Sequence, residues 1–421
     1  MPGQGEVYEA ALPRPLRLVN KFGGLARRLG LEPRIDGEAI LRDAERRLGK
    51  TAGRQVALDA LSHEGLMVRA RSYEAEARLS LMGRILVRSD LTRCVANQLA
   101  FERAYLRHPE ITQQQIKRPL FVVGLPRSGT TLMQRLLCCH PGARYLPFWE
   151  AHEPVPRTPD PSSDDTRRRI AAGHRAVQML NRVAPSLKRV HPITSETDPE
   201  ECIHLFMASQ LVPHGFDFAR LPTYWRWYEA LPDRAAPYRM FEKQLQLLQW
   251  VESREHWVLK SPIHMTRLAE LLQVFPTARI VYMQRDPVQS VASLGSLVAL
   301  MWSLLSEDVD LDDVGAYVLK ASRISQQMAG EALRGLCRDR LVHVDFSRFM
   351  SDPVGCALSA YRQLGYRADG GVERAMQEFM VANPRDKHGR HGYSLKSFGL
   401  DEEMVASCLK APGQPVGQPL S

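Results

Sequence analysis

Residues 120–137 read LFVVGLPRSGTTLMQRLL, and this segment carries the strongest structural signal in the chain. Its first four residues are apolar, as in a short strand that is buried on both faces. Gly124 and Gly129 then enclose four residues, and two threonines follow. From Thr131 to Cys139 the apolar spacing predicts a helix. A strand, a glycine-bounded loop and a helix in this order predict a loop whose backbone N–H groups face a phosphate or a similar anion.

Three further short apolar runs follow, and helical patterns such as Phe241 with Leu245 lie between them. Alternation of this kind predicts an α/β fold with a central parallel sheet. With the glycine loop, it predicts a P-loop nucleotide-binding fold. Ligands of such sheets bind beyond the carboxyl ends of the strands, so the residues after each strand are the functional candidates. The three runs are Trp257–Leu259, Ile280–Tyr282 and Leu341–Val344.

The composition of the 421 residues is that of a globular protein, with 44% apolar and 24% charged residues. It excludes a mostly disordered chain, a collagen-like chain and a small disulfide scaffold. The formal net charge of +9 is spread along the sequence, without a basic stripe interleaved with aromatics. An anionic small molecule is therefore the predicted partner, and nucleic acid is not. The seven cysteines form no CxxC pair, which predicts reduced thiols and no metal site.

We predict three regions along the chain. Residues 1–115 are rich in Leu, Ala and Arg with helical spacing, and they form a helical N-terminal extension that covers a pocket or makes a homodimer. A helix is expected over residues 75–82 within it. Residues 116–405 form the P-loop domain, and residues 406–421 form a flexible tail.

The sequence predicts a cytoplasmic protein without a transmembrane segment. The longest apolar candidate, Val291–Leu305, is short for a membrane span and contains Ser and Gly. The first ten residues lack the basic leader and apolar core of a secretory signal.

Two features of the glycine loop bear on its ligand. A nucleoside triphosphatase has lysine at the position of Thr130, where it reaches the β- and γ-phosphates. Here the basic residue is Arg127, inside the loop. An ordinary strand–turn–helix connection is the alternative interpretation.

A second anion site is indicated by residues 278–294, ARIVYMQRDPVQSVASL. Arg285 ends a predicted strand, Asp286 is placed to cap the next helix, and Gln289 completes a capping box. Ser293 lies eight residues after Arg285, so both can hold one phosphate at the start of a helix. A capped, solvated helix is the alternative. Two anion sites on one chain fit a bis-phosphorylated nucleotide better than ATP.

These segments resemble the sulfotransferase family, in the PRSGTTL form of the tyrosylprotein and many bacterial members. The resemblance implies 3′-phosphoadenosine 5′-phosphosulfate (PAPS) as the sulfuryl donor. It implies that Arg285 and Ser293 hold the 3′-phosphate. The residues implied to hold the 5′-phosphosulfate are Pro126, Arg127, Ser128, Gly129, Thr130 and Thr131.

Two further segments extend the resemblance. WVLKSP, residues 257–262, matches a family segment whose lysine contacts the transferred group, and this assigns a catalytic role to Lys260. Lys387, His388 and Gly389 are similar to a family loop that closes over the 3′-phosphate. A solvated lysine and an exposed basic loop are the respective alternatives.

Sulfuryl transfer builds negative charge on the oxygen that joins sulfur to the departing 5′-phosphate. Arg127, Thr130 and Lys260 are the predicted stabilisers of that charge, and no metal is expected to be required. Glu150 is the preferred general base, with His264 and His152 as alternatives.

The predicted activity is transfer of a sulfuryl group from PAPS to a hydroxyl, less readily an amine, of a small-molecule, lipid or carbohydrate acceptor. One alternative is a P-loop kinase or another enzyme that uses nucleoside triphosphates. It requires lysine at Thr130 and an acidic strand end for Mg²⁺, for which Asp345 is the candidate. The other alternative is a non-catalytic nucleotide-binding protein. The Pro-rich residues 147–165 are expected to form a loop over the acceptor.

Overall fold

The computed structural model describes residues 13–49, 56–157, 164–187, 193–213, 218–384 and 394–409. Five strands form one sheet: β1 Leu120–Gly124, β2 Ala143–Arg144, β3 His256–Lys260, β4 Arg279–Gln284 and β5 Leu341–Asp345. The described helices are α1 Arg14–Lys21, α2 Gly23–Arg28, α3 Gly37–Leu48, α4 Ala60–Glu76, α5 Leu81–Arg107, α6 Thr130–Leu137, α7 Phe148–His152, α8 Asp164–Val183, α9 Ile203–Ala208, α10 Pro222–Glu229, α11 Ala236–Val251, α12 Leu268–Val274, α13 Pro287–Leu305, α14 Leu311–Leu333, α15 Phe346–Ser351, α16 Pro353–Gln363, α17 Gly370–Ala382 and α18 Glu402–Leu409. Short 3-10 segments are Pro109–Gln113, Pro262–Arg267 and Lys396–Phe398.

The sheet is parallel throughout, with the strand order β2-β3-β1-β4-β5. β1 is central, and Phe121 lies opposite Leu259 of β3 on one side and Ile280 of β4 on the other. All residues of β1 and β3 are buried, because helices cover both faces of the sheet. The predicted α/β fold with a parallel sheet is confirmed. The sequence does not predict β2, because a strand of two residues is too short to show a periodic pattern.

The two faces of the sheet pack against different parts of the chain. Phe121 and Val123 belong to a large core that also contains Leu99 of α5. Leu120 and Val122 point to the opposite face and pack in a second core with helices that follow β5. The N-terminal helices therefore share a core with the central strand, and a boundary at residue 115 stays a prediction.

Two local expectations differ from the structure. The helix expected over residues 75–82 is wrong, because α4 ends and α5 begins within it. Ser80 caps α5 by accepting a hydrogen bond from the Gly83 amide, and Leu79 forms a β-bridge with Ser306. Near the other terminus, α18 runs past residue 406, where we expected a flexible tail to begin. Residues 410–421 of that tail lie outside the described residues.

Helix α13 is long and apolar enough to cross a membrane by length and composition, and 67% of its most apolar window is buried inside the protein. It extends the apolar run noted in the sequence by four residues toward the N-terminus. Val291, Leu294 and Trp302 lie in one core cluster with α14 and α18. A helix that is apolar on all sides is typical of burial in a protein core, and its N-terminus is thereby held beside the end of β4.

Candidate active site

The loop from Gly124 to Gly129 joins β1 to α6, as predicted. A side chain at Gly124 would bring its Cβ within 2.7 Å of the Met283 carbonyl oxygen, so only glycine fits against β4 there. Gly129 has φ +88°, a left-handed conformation that glycine adopts without strain. The Ser128 hydroxyl donates to the Leu125 carbonyl oxygen at 2.6 Å and closes the turn. The positive end of the α6 dipole is thereby left facing the carboxyl edge of the sheet.

Lys260 ends β3, the strand beside β1, and its side chain is buried. The ammonium Nζ lies 3.3 Å from the hydroxyl of Thr131 in the first turn of α6. It also lies 2.6 Å from Oε1 of Glu201. The structure thus brings Lys260 to the N-terminus of α6 from a neighbouring strand, whereas a nucleoside triphosphatase carries its lysine within the loop itself.

Glu201 is a site residue that the sequence analysis missed. Its second oxygen, Oε2, accepts a hydrogen bond from the Ser261 hydroxyl at 3.1 Å, and the amide of the next residue, Cys202, donates to the Lys260 carbonyl oxygen. Its side chain is 16% exposed. The signal available in the sequence was a pair of acidic residues, 200 and 201, directly before an apolar helix. This pair of acidic residues indicates no function in the sequence, and only the fold places Glu201 beside the end of β3.

Arg285 follows β4 and reaches across to the glycine loop. Its Nη1 donates to the Arg127 carbonyl oxygen at 2.6 Å, and its guanidinium lies 4.2 Å from the centre of the Phe346 ring. The buried Nε has no hydrogen-bond partner among the described residues. The Arg285 guanidinium is therefore held next to the glycine loop, and its Nε–H is a donor that still lacks an acceptor there. Residues 387–389, predicted to close over the same ligand, lie outside the described residues.

Helix α13 begins where the sequence predicts its cap. The Asp286 carboxylate accepts a hydrogen bond from the amide two residues later, and Pro287 is the first helical residue. Gln289 does not complete a capping box, because its side-chain oxygen accepts from Nη2 of Arg285 at 2.8 Å. Ser293 is buried on the same helix, and its role as a phosphate ligand stays a prediction.

Residues 119–370, more than half of the chain, match the sequence model of the Sulfotransferase family. The chain belongs to the sulfotransferase family. The solved sulfotransferase STF1 from Mycobacterium tuberculosis H37Rv is 26% identical and has a TM-score of 0.74, over 89% of this chain and 98% of its own. Sulfotransferase STF9 from Mycobacterium avium shares the fold, with 24% identity and a TM-score of 0.78 over 89% of this chain and 94% of its own. No curated protein sequence matches the chain.

Glu150, the preferred general base in the sequence analysis, is paired with Arg144 in this sulfotransferase. Both carboxylate oxygens accept hydrogen bonds from Nη2 of Arg144, at 2.8 and 2.6 Å, and both side chains are buried. The Arg144 guanidinium in turn lies over the Trp257 ring, 4.8 Å from its centre. A carboxylate held in this way by a buried arginine is costly to remove from the fold, and the role of Glu150 as general base stays a prediction.

Glu150→Ala is expected to lower the free energy of unfolding by about 3–5 kcal/mol, because it leaves the Arg144 charge buried without its carboxylate. Urea unfolding measured by circular dichroism tests this. The matched control is Glu307→Ala, which removes a half-exposed partner of Arg27 and should cost at most about 1 kcal/mol. A Glu150 variant as stable as the control would contradict the structural role.

Burial lowers the pKa of both histidine alternatives, and their role as general base stays a prediction. His264 is completely buried among Phe121, Phe206 and Phe241, and Nδ1 is hydrogen-bonded to the Tyr238 hydroxyl at 2.8 Å. Burial lowers the pKa of His264 to about 3, which makes it a poor proton acceptor at neutral pH. Pattern reasoning could not distinguish this core histidine from a site histidine.

The His152 backbone contacts a polar cluster formed by Asp90 and Arg93. Arg93 of α5 donates to the Asp90 carboxylate at 2.5 Å and to the His152 carbonyl oxygen at 3.0 Å. Burial lowers the pKa of His152 to about 4, with a further contribution from the Arg93 charge. His204 of α9, three residues after Glu201, lies 4.0 Å from the Glu200 carboxylate, and burial lowers the pKa of His204. α5 of the N-terminal extension also contacts α9, the helix that follows Glu201.

One group among the described residues has the residue types of a metal site: His140, Glu255 and His256 offer ligand atoms within 4.8 Å of one another. Both nitrogens of His140 are already engaged. Nδ1 accepts from the Gly142 amide at 2.9 Å, and Nε2 lies 2.8 Å from the Arg367 carbonyl oxygen. We therefore assign this group a structural role.

Proposed function

We propose that this sulfotransferase moves a sulfuryl group from PAPS to a hydroxyl, less readily an amine, of a small-molecule, lipid or carbohydrate acceptor. The observation that carries the proposal is the position of Lys260, 3.3 Å from Thr131 at the N-terminus of α6. The Lys260 ammonium at the end of β3 and the positive end of the α6 dipole both lie at the N-terminus of α6. Such an arrangement stabilises negative charge that develops on an oxygen bound there.

The residues around the loop fit a donor with anionic groups at two positions. Arg127 and Lys260 flank the start of α6, where the 5′-phosphosulfate would bind. Arg285 donates to the Arg127 carbonyl oxygen, and its buried Nε lacks a partner among the described residues. We therefore place a second phosphate of the donor at Arg285. PAPS carries an activated sulfuryl group on a 5′-phosphate and a separate 3′-phosphate, so it offers one anionic group to each set of cations. These side chains supply the positive charge that a metal supplies in phosphoryl transfer.

We propose Glu201 as the general base in place of Glu150. In the structure Lys260 donates to Glu201, and the proposed reaction requires Lys260 to turn toward the donor. Glu201 is then free to accept the proton of the acceptor hydroxyl. The acceptor oxygen forms a bond to sulfur while the bond from sulfur to the 5′-phosphate oxygen breaks, and Lys260 stabilises the charge on the departing oxygen.

The polar cluster of Asp90 and Arg93 supports an acceptor that carries hydrogen-bonding groups. Asp90 keeps 40% of its side chain exposed. Burial acts to raise the pKa of Asp90, but the charge and hydrogen bond of Arg93, together with the Arg69 charge, lower it. An ionised carboxylate accepts hydrogen bonds from hydroxyl or amino groups. All seven cysteines are unpaired, which supports the reducing, cytoplasmic compartment that we propose for the protein.

Calorimetric titration without metal tests the donor. 3′-Phosphoadenosine 5′-phosphate should bind with micromolar affinity, and ATP with Mg²⁺ should not bind. Binding of ATP with Mg²⁺ alone would replace the proposed donor by a nucleoside triphosphate.

Arg285→Ala should weaken binding of 3′-phosphoadenosine 5′-phosphate about ten- to a hundredfold, because charge-assisted hydrogen bonds to one phosphate are lost. Adenosine 5′-phosphosulfate lacks the 3′-phosphate, so its affinity should change little. The control is Arg323→Ala, an exposed arginine of α14. Equal losses for both nucleotides would place the 3′-phosphate elsewhere.

A further inference from the structure

The N-terminal helices α1 and α2 carry a row of exposed apolar side chains. Leu18, Phe22, Leu25 and Leu29 are each between 55% and 61% exposed. Their spacing of four, three and four residues places them on one face of continuous helical geometry. Leu31, which is more exposed still, extends the row beyond α2. We call Leu18, Phe22, Leu25 and Leu29 the apolar stripe.

The opposite side of these helices is attached to the protein. The Asn20 side chain accepts a hydrogen bond from the Met82 amide at 3.0 Å. Gly23 is buried against Leu81, and Arg27 pairs with Glu307. The helices therefore have a defined orientation, with one side docked and the stripe turned outward. Single exposed leucines are ordinary, but a continuous row on one helix face indicates a binding surface.

The charges beside the stripe indicate what it binds. Residues 14–31 contain five basic residues and no acidic residue. Arg14, Arg17, Lys21 and Arg28 are exposed. Lys21 and Arg28 each lie three residues after a stripe leucine, and Arg14 lies one turn before the first, so the cations line one flank of the stripe. Apolar side chains flanked by cations are typical of helices that lie in the interface of an anionic membrane.

We propose that the apolar stripe and its basic flank bind an anionic lipid surface, with α1 and α2 lying along the plane of the membrane. The stripe would enter the boundary between headgroups and acyl chains, and the basic flank would contact lipid phosphates. A second copy of the chain is a poorer partner. A twofold contact brings the same patch together from both subunits, and the segment has no acidic residue to neutralise the facing cations.

This surface is separate from the donor site. Helix α13 begins beside Arg285 and is followed by Glu307, the partner of Arg27 in α2. Its 19 residues span about 28 Å at 1.5 Å per residue. Substitutions in the stripe should therefore leave sulfotransfer intact, and the proposal does not depend on the identity of the acceptor.

Sedimentation of the full chain with lipid vesicles tests the proposal. The protein should sediment with phosphatidylcholine vesicles that contain phosphatidylglycerol, and not with phosphatidylcholine alone. Phe22→Glu combined with Leu25→Glu should lower the vesicle affinity at least about tenfold. Arg17→Gln combined with Lys21→Gln should reduce both the affinity and its salt dependence.

The matched control is Val381→Glu combined with Met179→Glu, which places the same charges at exposed apolar positions outside the stripe. It should bind vesicles like the unmodified chain, and circular dichroism should show that all variants are folded. Failure to sediment with phosphatidylglycerol vesicles, or undiminished binding by the stripe variant, would overturn the proposal. A further contradicting result would be a chain that binds no vesicles but is a dimer in light scattering, with the dimer lost in the stripe variant. That result would assign the stripe to contact with a second copy of the chain.

Discussion

Lys260→Ala should lower the turnover number about 10²–10³-fold while the affinity for 3′-phosphoadenosine 5′-phosphate changes only a few fold. Lys260 meets the first turn of α6 at Thr131, where negative charge develops in the proposed reaction. Its contribution is therefore expected to be greater in the transition state than in the nucleotide complex. Arg127 and Arg285 remain in the variant and should hold the nucleotide.

Steady-state kinetics with a saturating donor, together with calorimetry, separates the two effects. The control Lys320→Ala removes an exposed lysine of α14 and should leave the turnover number and the nucleotide affinity unchanged. Lys260→Arg keeps the positive charge, but its larger planar group is not expected to restore full turnover. If Lys260→Ala turned over like the unmodified enzyme, Lys260 would have no part in transfer.

Glu201→Gln should lower kcat about 10²–10⁴-fold, because the amide cannot accept the proton of the acceptor. The substitution preserves shape. The amide oxygen can still accept a hydrogen bond from Lys260, and the amide NH2 can donate to the Ser261 hydroxyl oxygen, so the variant should remain folded. The affinity for 3′-phosphoadenosine 5′-phosphate should change only a few fold, because the cations around the loop are retained. A merely structural role for Glu201 would lower stability and nucleotide affinity together with kcat.

Glu150→Gln is the matched comparison, since it makes the same chemical change in a buried carboxylate that faces Arg144. Activity per folded molecule should stay within a few fold of the unmodified enzyme, while stability falls. The reverse pattern, with Glu150→Gln inactive and Glu201→Gln active, would return the base to Glu150. His264→Phe is not expected to abolish transfer, because His264 packs in the core.

Much of the architecture was accessible to sequence reasoning because it depends on local patterns. The four apolar runs become β1, β3, β4 and β5, and the cap at Asp286 starts α13 where expected. Each of these signals lies within a few residues and reflects burial or hydrogen bonding of that segment alone. The family resemblance likewise rested on contiguous motifs, and membership of the sulfotransferase family is confirmed.

The choice of general base shows the limit of prediction from local sequence patterns. Glu150 was chosen by its distance from the loop helix along the chain, and the fold instead pairs it with Arg144. Glu201 lies 59 residues before Lys260 in the sequence, yet the two side chains meet at 2.6 Å. Nothing near Glu201 in the sequence differs from an ordinary acidic turn before a helix.

From the residues alone one can derive the strand–loop–helix, the parallel sheet and the lysine at the end of β3. These follow because burial periodicity and glycine geometry are properties of short segments. Which carboxylate faces Lys260, which arginine stays in the core and which side of α1 remains exposed are properties of the assembled molecule. They depend on how distant segments share a restricted interior, where each charge keeps only the partners that packing brings to it.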